Sequence, residues 1–165
     1  MTHIRPADSN DIPAIISITQ KVWPPTYLHI IGATQLQYMI DLFYSPAALQ
    51  QQMDSGHQFI MAIHEGHPVG FASWSLIAPN TWKLHKLYVL TSQQGRGTGK
   101  AMIQHILSAI QATGLPAQLR LNVNRNNHPA IHFYQKYGFS HLADEDIDIG
   151  SGYYMNDHIL QIAIP

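Results

Sequence analysis

The stretch KLHKLYVLTSQQGRGTGK (residues 83–100) decides the fold class, because it connects a strand pattern to a helix through a glycine-rich loop. Residues 83–90 are rich in leucine, valine and tyrosine, which predicts a β-strand. Three glycines follow at positions 95, 97 and 99, and the helical spacing of apolar residues from Met102 to Ile110 predicts a helix after them. A strand, a glycine-rich turn and a helix N-terminus form an anion site, because free N–H groups converge there and the helix dipole favours negative charge.

Two common phosphate-binding motifs do not fit this loop. A Walker A loop needs Gly at position 94 and Ser or Thr at position 101, where the chain has Gln94 and Ala101. The dinucleotide pattern GxGxxG lacks its third glycine, because Lys100 or Met102 stands in that place. The loop therefore belongs to neither a P-loop NTPase nor a Rossmann domain, which leaves another kind of anion site or a flexible connection.

The hydrophobic periodicity on both sides of this stretch predicts an α/β fold with a mixed sheet. We predict a strand at residues 3–6, a helix that ends at Pro24-Pro25, a second helical segment at residues 36–43 and a short helix capped by Ser45. Alternating residues then predict strands on both sides of the turn at residues 64–67, and the pattern continues to the C-terminus. The predicted order is β-α-α-β-β-β-α-β-α-β-β, in one domain that spans residues 1–165.

The charges are few and unevenly distributed along the chain. Charged residues make up 12% of the 165 residues, and the net charge is -1. Residues 66–143 contain no Asp or Glu but hold seven of the nine cations: Lys83, Lys86, Arg96, Lys100, Arg120, Arg125 and Lys136. The segments on both sides are acidic. This pattern predicts an anionic ligand at the middle segment and a cationic ligand near the ends, unless the fold mixes the segments.

Several classes of protein are excluded or disfavoured by what the sequence lacks. There is no cysteine, which excludes disulfides, Cys-ligated zinc and an acyl-cysteine intermediate. The histidines, among them His64 and His67, show no metal-binding spacing, so no metal is predicted. Seven cations without a known module signature disfavour a nucleic-acid partner. The start of the chain lacks an apolar leader and no apolar run is long enough to span a membrane, so we expect a cytoplasmic protein with no membrane partner.

Two motifs, in this order, resemble signatures of the GNAT superfamily of N-acetyltransferases. The run Gln94-x-x-Gly97-x-Gly99, with Leu87-Tyr88-Val89 before it, resembles that family's pyrophosphate loop and preceding strand. The run NHPAIHFYQKYGF (residues 127–139) is similar to its second signature. The resemblance covers about residues 59–139. It implies a GNAT-like, mostly antiparallel central sheet with helices on both faces.

The resemblance implies transfer of an acetyl group from acetyl-CoA, the donor, directly to a primary amine in a ternary complex. The backbone of residues 87–89 would pair with the pantetheine arm, where the strands at residues 83–90 and 118–124 splay apart. Asn127 would touch the cofactor or only cap its helix. The residues that the resemblance assigns to acetyl-CoA are Leu87, Tyr88, Val89, Gln94, Gly95, Arg96, Gly97, Thr98, Gly99, Lys100, Asn127 and Tyr134.

The resemblance also implies two catalytic roles. Tyr134 stands at the family's general-acid position and would protonate the leaving thiolate, although packing alone would also explain a tyrosine there. His85 stands where many relatives have a glutamate and is the candidate base, because an imidazole can take a proton near neutral pH. Asp148 and Asp157 are the rival bases, acting directly or through water.

The acceptor is predicted less closely than the donor. Trp23 and Tyr27 near the first helix, and Tyr153 near the C-terminus, are the candidate acceptor-binding residues. The acidic ends, with a C-terminal segment similar to diamine- and polyamine-acetylating enzymes, suggest a polyamine or a basic peptide N-terminus. An alternative is an idle acetyl-CoA-binding module with a regulatory role. The sequence does not decide the oligomeric state, and a homodimer stays open.

Overall fold

The computed structural model describes residues 1–165. Its seven strands and four helices follow one another in the predicted order. The strands are β1 (Thr2–Ala7), β2 (Gln58–His64), β3 (His67–Ala78), β4 (Thr81–Val89), β5 (Ala117–Asn124), β6 (Ser140–Gly150) and β7 (Tyr153–Ile164). The helices are α1 (Ile12–Tyr44), α2 (Pro46–Asp54), α3 (Thr98–Gln111) and α4 (His128–Tyr137). The strands form one sheet in the order β1-β2-β3-β4-β5-β7-β6. Only β4 and β5 are parallel, which confirms the mixed, mostly antiparallel sheet.

Helices cover both faces of the sheet because the strands carry apolar side chains on both sides. In β2, Phe59 and Met61 pack in one core with residues of α1 and α2. Their neighbours Ile60 and Ala62 pack in the other core with residues of α3 and α4. This alternation follows from the two-residue period of a strand and yields a three-layer arrangement. None of the helices combines the length and the apolar character needed to cross a bilayer.

The prediction that Pro24-Pro25 ends the first helix is wrong. Helix α1 continues through both prolines and is interrupted only at Gly32, whose φ of 79° and ψ of 166° are not helical. The two prolines remove the N–H donors that would have reached the carbonyls of Gln20 and Lys21. Both of those residues are exposed, so water can satisfy their carbonyls, and the helix survives the loss.

A β-bulge in β4 changes which side chains share a face of the sheet. Ser73 of β3 pairs with Lys86, and the next residue, Trp74, pairs with Leu84, so His85 is an extra residue on β4. In a regular strand, residues 83 and 86 would point to opposite faces. The extra residue places both side chains on the same face of the sheet, which forms one wall of the candidate active site.

Candidate active site

The glycine-rich loop leaves a row of backbone N–H groups free at the start of α3. Gly95 and Gly97 have φ angles of 77° and 83°, a left-handed conformation that residues with a Cβ rarely adopt. No turn or cap hydrogen bond is donated by the amides of residues 95–100, and α3 begins after Gly97 without a side-chain cap. These free donors, at the positive end of a helix dipole, suit a ligand with phosphate oxygens.

The third loop glycine has a packing role. A Cβ on Gly99 would lie 3.2 Å from the ring of Phe133, which is closer than ordinary van der Waals contact. Gly99 therefore lets α3 approach α4 closely, and the two signature motifs meet at this contact. The loop is also tied to the preceding strand, because the Gln94 side chain donates a hydrogen bond to the carbonyl of Val89 (3.0 Å).

Strands β4 and β5 separate before the glycine-rich loop. They pair only at residues 81–84 of β4 and 118–121 of β5. Beyond that point β4 stays bonded to β3 on its other edge, so its edge at residues 87–89 faces no strand. Unpaired N–H and C=O groups on such an edge can bind an extended chain as an added strand. The splay expected from the sequence is confirmed, and it suits a ligand with an extended, amide-bearing arm.

Tyr134 lies on α4, in the core that α3 and α4 form with the sheet, and it is not among the residues that line the cavity among α1, β4, β5 and β7. It is 9% exposed and packs edge-on against Phe133 and Phe139, with ring centroids 5.3 Å and 5.6 Å away. Burial, and then the nearby Tyr27, raise the pKa of its phenol well above the ordinary value. The phenol therefore keeps its proton at any physiological pH. Helix α4 is capped by Asn127, whose side chain accepts a hydrogen bond from the amide of Ala130 (3.4 Å).

A cavity of about 300 Å³ lies among α1, β4, β5 and β7. Aromatic side chains form much of its wall, including Trp23, Tyr27 and Tyr88, and the hydroxyls of the two tyrosines are 3.0 Å apart. Its charged and titratable lining residues are His57, Lys83, His85, Lys86 and Asp157, apart from the tyrosines. The cavity therefore combines an apolar wall with a few polar groups, as small-molecule sites do.

His85, at the bulge, is held between two partners. Its Nε2 lies 2.7 Å from the Ser75 hydroxyl, and its ring stacks on that of His57 at 4.1 Å with an angle of 8° between the planes. Burial lowers the pKa of His85 to about 3, with smaller contributions from His57 and the two nearby lysines. His85 is therefore neutral and only weakly basic. The stacking partner, His57, was missed by the sequence analysis because nothing in its local pattern marks it.

Lys86 is a buried cation without a carboxylate partner. It is 7% exposed, and its Nζ sits 4.2 Å from the centroid of the Tyr44 ring. None of the ion pairs in the chain includes Lys83 or Lys86. Burial, and then repulsion from Lys83, lower the pKa of Lys86 to about 7. Both lysines belong to the cationic middle segment of the sequence, where no local pattern marks either of them for a role.

Asp157, on β7, is the one carboxylate that lines the cavity. It is 5% exposed, and its Oδ2 accepts a hydrogen bond from the Asn122 side chain (3.3 Å). Burial raises the pKa of Asp157, while that hydrogen bond and the charge of Lys83 act in the opposite direction. A carboxylate with a raised pKa that lines a cavity can act as a proton acceptor.

The model of the acetyltransferase (GNAT) family matches residues 15–139, which is more than half of the chain. The chain belongs to this family. An uncharacterized N-acetyltransferase of Mycobacterium bovis is 23% identical over 151 residues, which cover 91% of this chain and 96% of the relative. An uncharacterized N-acetyltransferase of Bacillus subtilis is 25% identical over 154 residues, covering 90% of this chain and 86% of the relative.

The similarity to a solved structure covers nearly the whole of this GNAT enzyme's chain. The PaiA N-acetyltransferase of Thermoplasma acidophilum, in complex with coenzyme A, superposes with a TM-score of 0.82 at 25% identity and covers 98% of both chains. The expectation of an acyl-CoA-dependent N-acetyltransferase, with acetyl-CoA as the donor, is therefore confirmed. The free loop amides and the splayed strands fit the pyrophosphate and the pantetheine arm of that donor.

The residues that were predicted for the acceptor of this GNAT enzyme fall in different places. Trp23 and Tyr27 line the cavity, but Tyr153 does not, and its neighbour Tyr154 does. Tyr153 instead packs against Tyr38, with ring centroids 5.1 Å apart. Asp148, one of the rival bases, is exposed and accepts a hydrogen bond from the amide of Gly150 in the β6–β7 turn. It lies outside the cavity lining.

Three groups that could hold a metal ion come together on β6 and β7, although no local spacing predicts it. Ligand atoms of His141, Asp144 and His158 lie within 4.8 Å of one another, outside the cavity lining. Both imidazoles contact Asp144, at 2.6 Å and 2.5 Å. These contacts lower the pKa of Asp144 to about 2. The carboxylate is thus already satisfied by its two histidine neighbours.

Proposed function

We propose that this GNAT enzyme transfers the acetyl group of acetyl-CoA directly to a small primary amine bound in the cavity. The observation that carries the proposal is the meeting of three features: the free loop amides, the splayed edge of β4 and a cavity lined by that same strand. Acetyl-CoA would supply the activated thioester. The chain's own groups would orient it and handle two protons.

The donor would be held by the residues that the sequence analysis assigned to it. The amides of residues 95–100 would receive the diphosphate, with Arg96 and Lys100 adding positive charge. The backbone of residues 87–89 would pair with the arm. The amide near Val89 would then lie close to the thioester carbonyl and polarise it.

Tyr134 would protonate the thiolate that leaves. Its pKa is raised by burial, which at first sight makes it a poor acid. The same desolvation acts on the thiolate, because burial disfavours the charged form of any group. Proton transfer between the two buried groups therefore remains feasible.

For the proton of the acceptor amine we favour Asp157 over His85. An ammonium has no lone pair, so it must lose a proton before it can attack. His85 has a pKa of about 3, and its Nε2 is engaged with Ser75, which leaves it a weak base. Asp157 has a raised pKa and lines the cavity, so it can attract the ammonium and take its proton directly or through water.

The charges around the cavity disfavour a polyamine or a basic peptide as the acceptor. Two lysines line it against a single carboxylate, and a polycation would be repelled. The acidic residues of the C-terminal segment lie mostly on the exposed strand β6. One of them, Asp146, pairs with Arg125 at 2.9 Å, so the fold mixes the charge segments that the sequence separates.

The test is thiol release from acetyl-CoA across polyamines, aminoglycosides, amino acids and basic peptides, followed by Tyr134→Phe with the best acceptor. We expect kcat to fall by about 100-fold or more, the usual contribution of a general acid, with little change in the KM for acetyl-CoA. Tyr137→Phe, on the same helix, is the matched control. An unchanged kcat in Tyr134→Phe would remove the acid assignment. Tight acetyl-CoA binding without thiol release for any amine would favour the idle regulatory module.

A further inference from the structure

We propose that the acceptor amine also carries an anionic group, a carboxylate or a phosphate, and that Lys86 binds that group. This proposal rests on the proposed function, because it concerns the same cavity. It replaces the cationic acceptor suggested by the acidic ends of the chain with a zwitterionic one.

The first observation is the way in which the bulge at His85 concentrates positive charge. It brings Lys83 and Lys86 to the same wall of the cavity, although their spacing would place them on opposite faces of a regular strand. A bulge that re-aims a side chain beside an active site is a common device. Here the side chains that come to share a wall are those of two lysines.

The second observation is that Lys86 lacks a counter-charge. A lysine that is 7% exposed is ordinarily paired with a carboxylate, because burying an isolated charge is costly. Lys86 takes part in no ion pair, and the contact of its ammonium with the face of Tyr44 compensates a small part of that cost. An anionic group of a bound ligand would supply the missing partner.

The third observation is that a group of opposite charge lines the same cavity. Asp157 is available to an ammonium, and the charge of Lys83 is close enough to act on its pKa. An amine that carries an anionic group can therefore pair its ammonium with Asp157 and its anion with Lys86. The aromatic walls, including Trp23 and Tyr154, leave the body of such a ligand in apolar surroundings.

Matched acceptor pairs test the proposal. L-Phenylalanine and phenethylamine differ only in the carboxylate, and O-phosphoethanolamine and ethanolamine differ only in the phosphate. We expect kcat/KM for at least one anionic member to exceed that of its neutral partner about tenfold or more, the range of a charge-assisted hydrogen bond. The pair that shows the larger ratio identifies the anion. Equal values within both pairs, or a preference for the neutral members, would overturn the proposal.

The variant Lys86→Met then assigns the preference to its residue. The variant removes the charge and keeps an unbranched side chain of similar length. We expect the ratio of kcat/KM within the preferred pair to fall about tenfold, through a higher KM for the anionic member. Lys21→Met, at an exposed position of α1, is the control and should keep the ratio. An equal loss of kcat for both members, with a shifted pH profile, would make Lys86 a base and contradict the proposal.

Binding measurements separate this proposal from the proposed function. If no amine is acetylated, the proposed function fails, while calorimetric titration of the same four compounds into the CoA-bound protein still tests Lys86. Tighter binding of an anionic member, weakened about tenfold by Lys86→Met, would support the anion site. Absence of saturable binding by either anionic compound would overturn it.

Discussion

Replacement of Lys86 by methionine should stabilise the protein, because the wild-type chain buries an unpaired ammonium. A pKa of about 7 in place of 10.5 corresponds to roughly 5 kcal/mol of unfavourable free energy for the charged form, at about 1.4 kcal/mol per tenfold change. The substitution also removes the favourable contact between the ammonium and the Tyr44 ring, which offsets about 1 kcal/mol of that gain. With some relaxation around the buried charge, we expect Lys86→Met to raise the free energy of unfolding by roughly 2–4 kcal/mol at pH 6.

The gain in the free energy of unfolding of Lys86→Met should decrease as the pH rises. The unfolded chain holds the proton of Lys86 up to about pH 10.5, whereas the folded chain releases it near pH 7. The penalty in the wild-type protein is therefore complete below pH 7 and fades as the pH rises towards 10.5. The difference in stability between Lys86→Met and wild type should shrink across that range.

Urea unfolding of both proteins at pH 6, 8 and 10, at constant ionic strength, measures this difference. Lys21→Met, at an exposed position, is the matched control and should change the stability by less than about 0.5 kcal/mol at each pH. A Lys86→Met protein that is less stable than wild type at pH 6 would contradict this prediction. A difference in stability that stays constant from pH 6 to pH 10 would contradict it as well.

Two further predictions concern stability outside the cavity. Gly32→Ala should cost about 1–3 kcal/mol in thermal or urea unfolding, because φ of 79° with ψ of 166° suits only glycine; an unchanged midpoint would contradict this. Asp11→Asn should cost about 1 kcal/mol at pH 7, because Asp11 pairs with Arg5 at 2.7 Å and closes a capping box. The Arg5 contact lowers the pKa of Asp11, so this contribution should be present above pH 4 and lost as the pH falls through the lowered pKa. A difference between Asp11→Asn and wild type that persists at pH 2 would count against this explanation.

The elements set by local residues could be predicted closely. The turn at residues 64–67 is a tight hairpin with φ of 49° at Glu65 and 79° at Gly66, as the sequence pattern indicated. Ser45 caps α2 through a hydrogen bond from the amide of Ala48 (3.1 Å). Both features depend on a few consecutive residues, so short-range reasoning is sufficient for them.

The wrong prediction at Pro24-Pro25, and the features of the site that the sequence leaves open, depend on solvent or on distant residues. Pro24-Pro25 is a helix-ending pattern, but the exposure of the two freed carbonyls depends on how α1 lies on the sheet. Tyr153 and Tyr154 carry the same side chain at adjacent positions, and in the fold Tyr153 packs against Tyr38 while Tyr154 lines the cavity. The environment that makes His85 a weak base includes His57, which lies between α2 and β2 and which no spacing in the sequence connects to His85.

By itself, the sequence determined the order of the elements, the glycine-rich loop and the two signatures of the GNAT family, because turns, caps and periodicity are local properties. The tertiary structure alone decided the electrostatics of the acceptor cavity. The bulge at His85 places Lys83 and Lys86 on one wall, and β7 brings Asp157 to the same space. The pKa of each group depends on burial and on charges from distant parts of the chain, which no stretch of sequence contains.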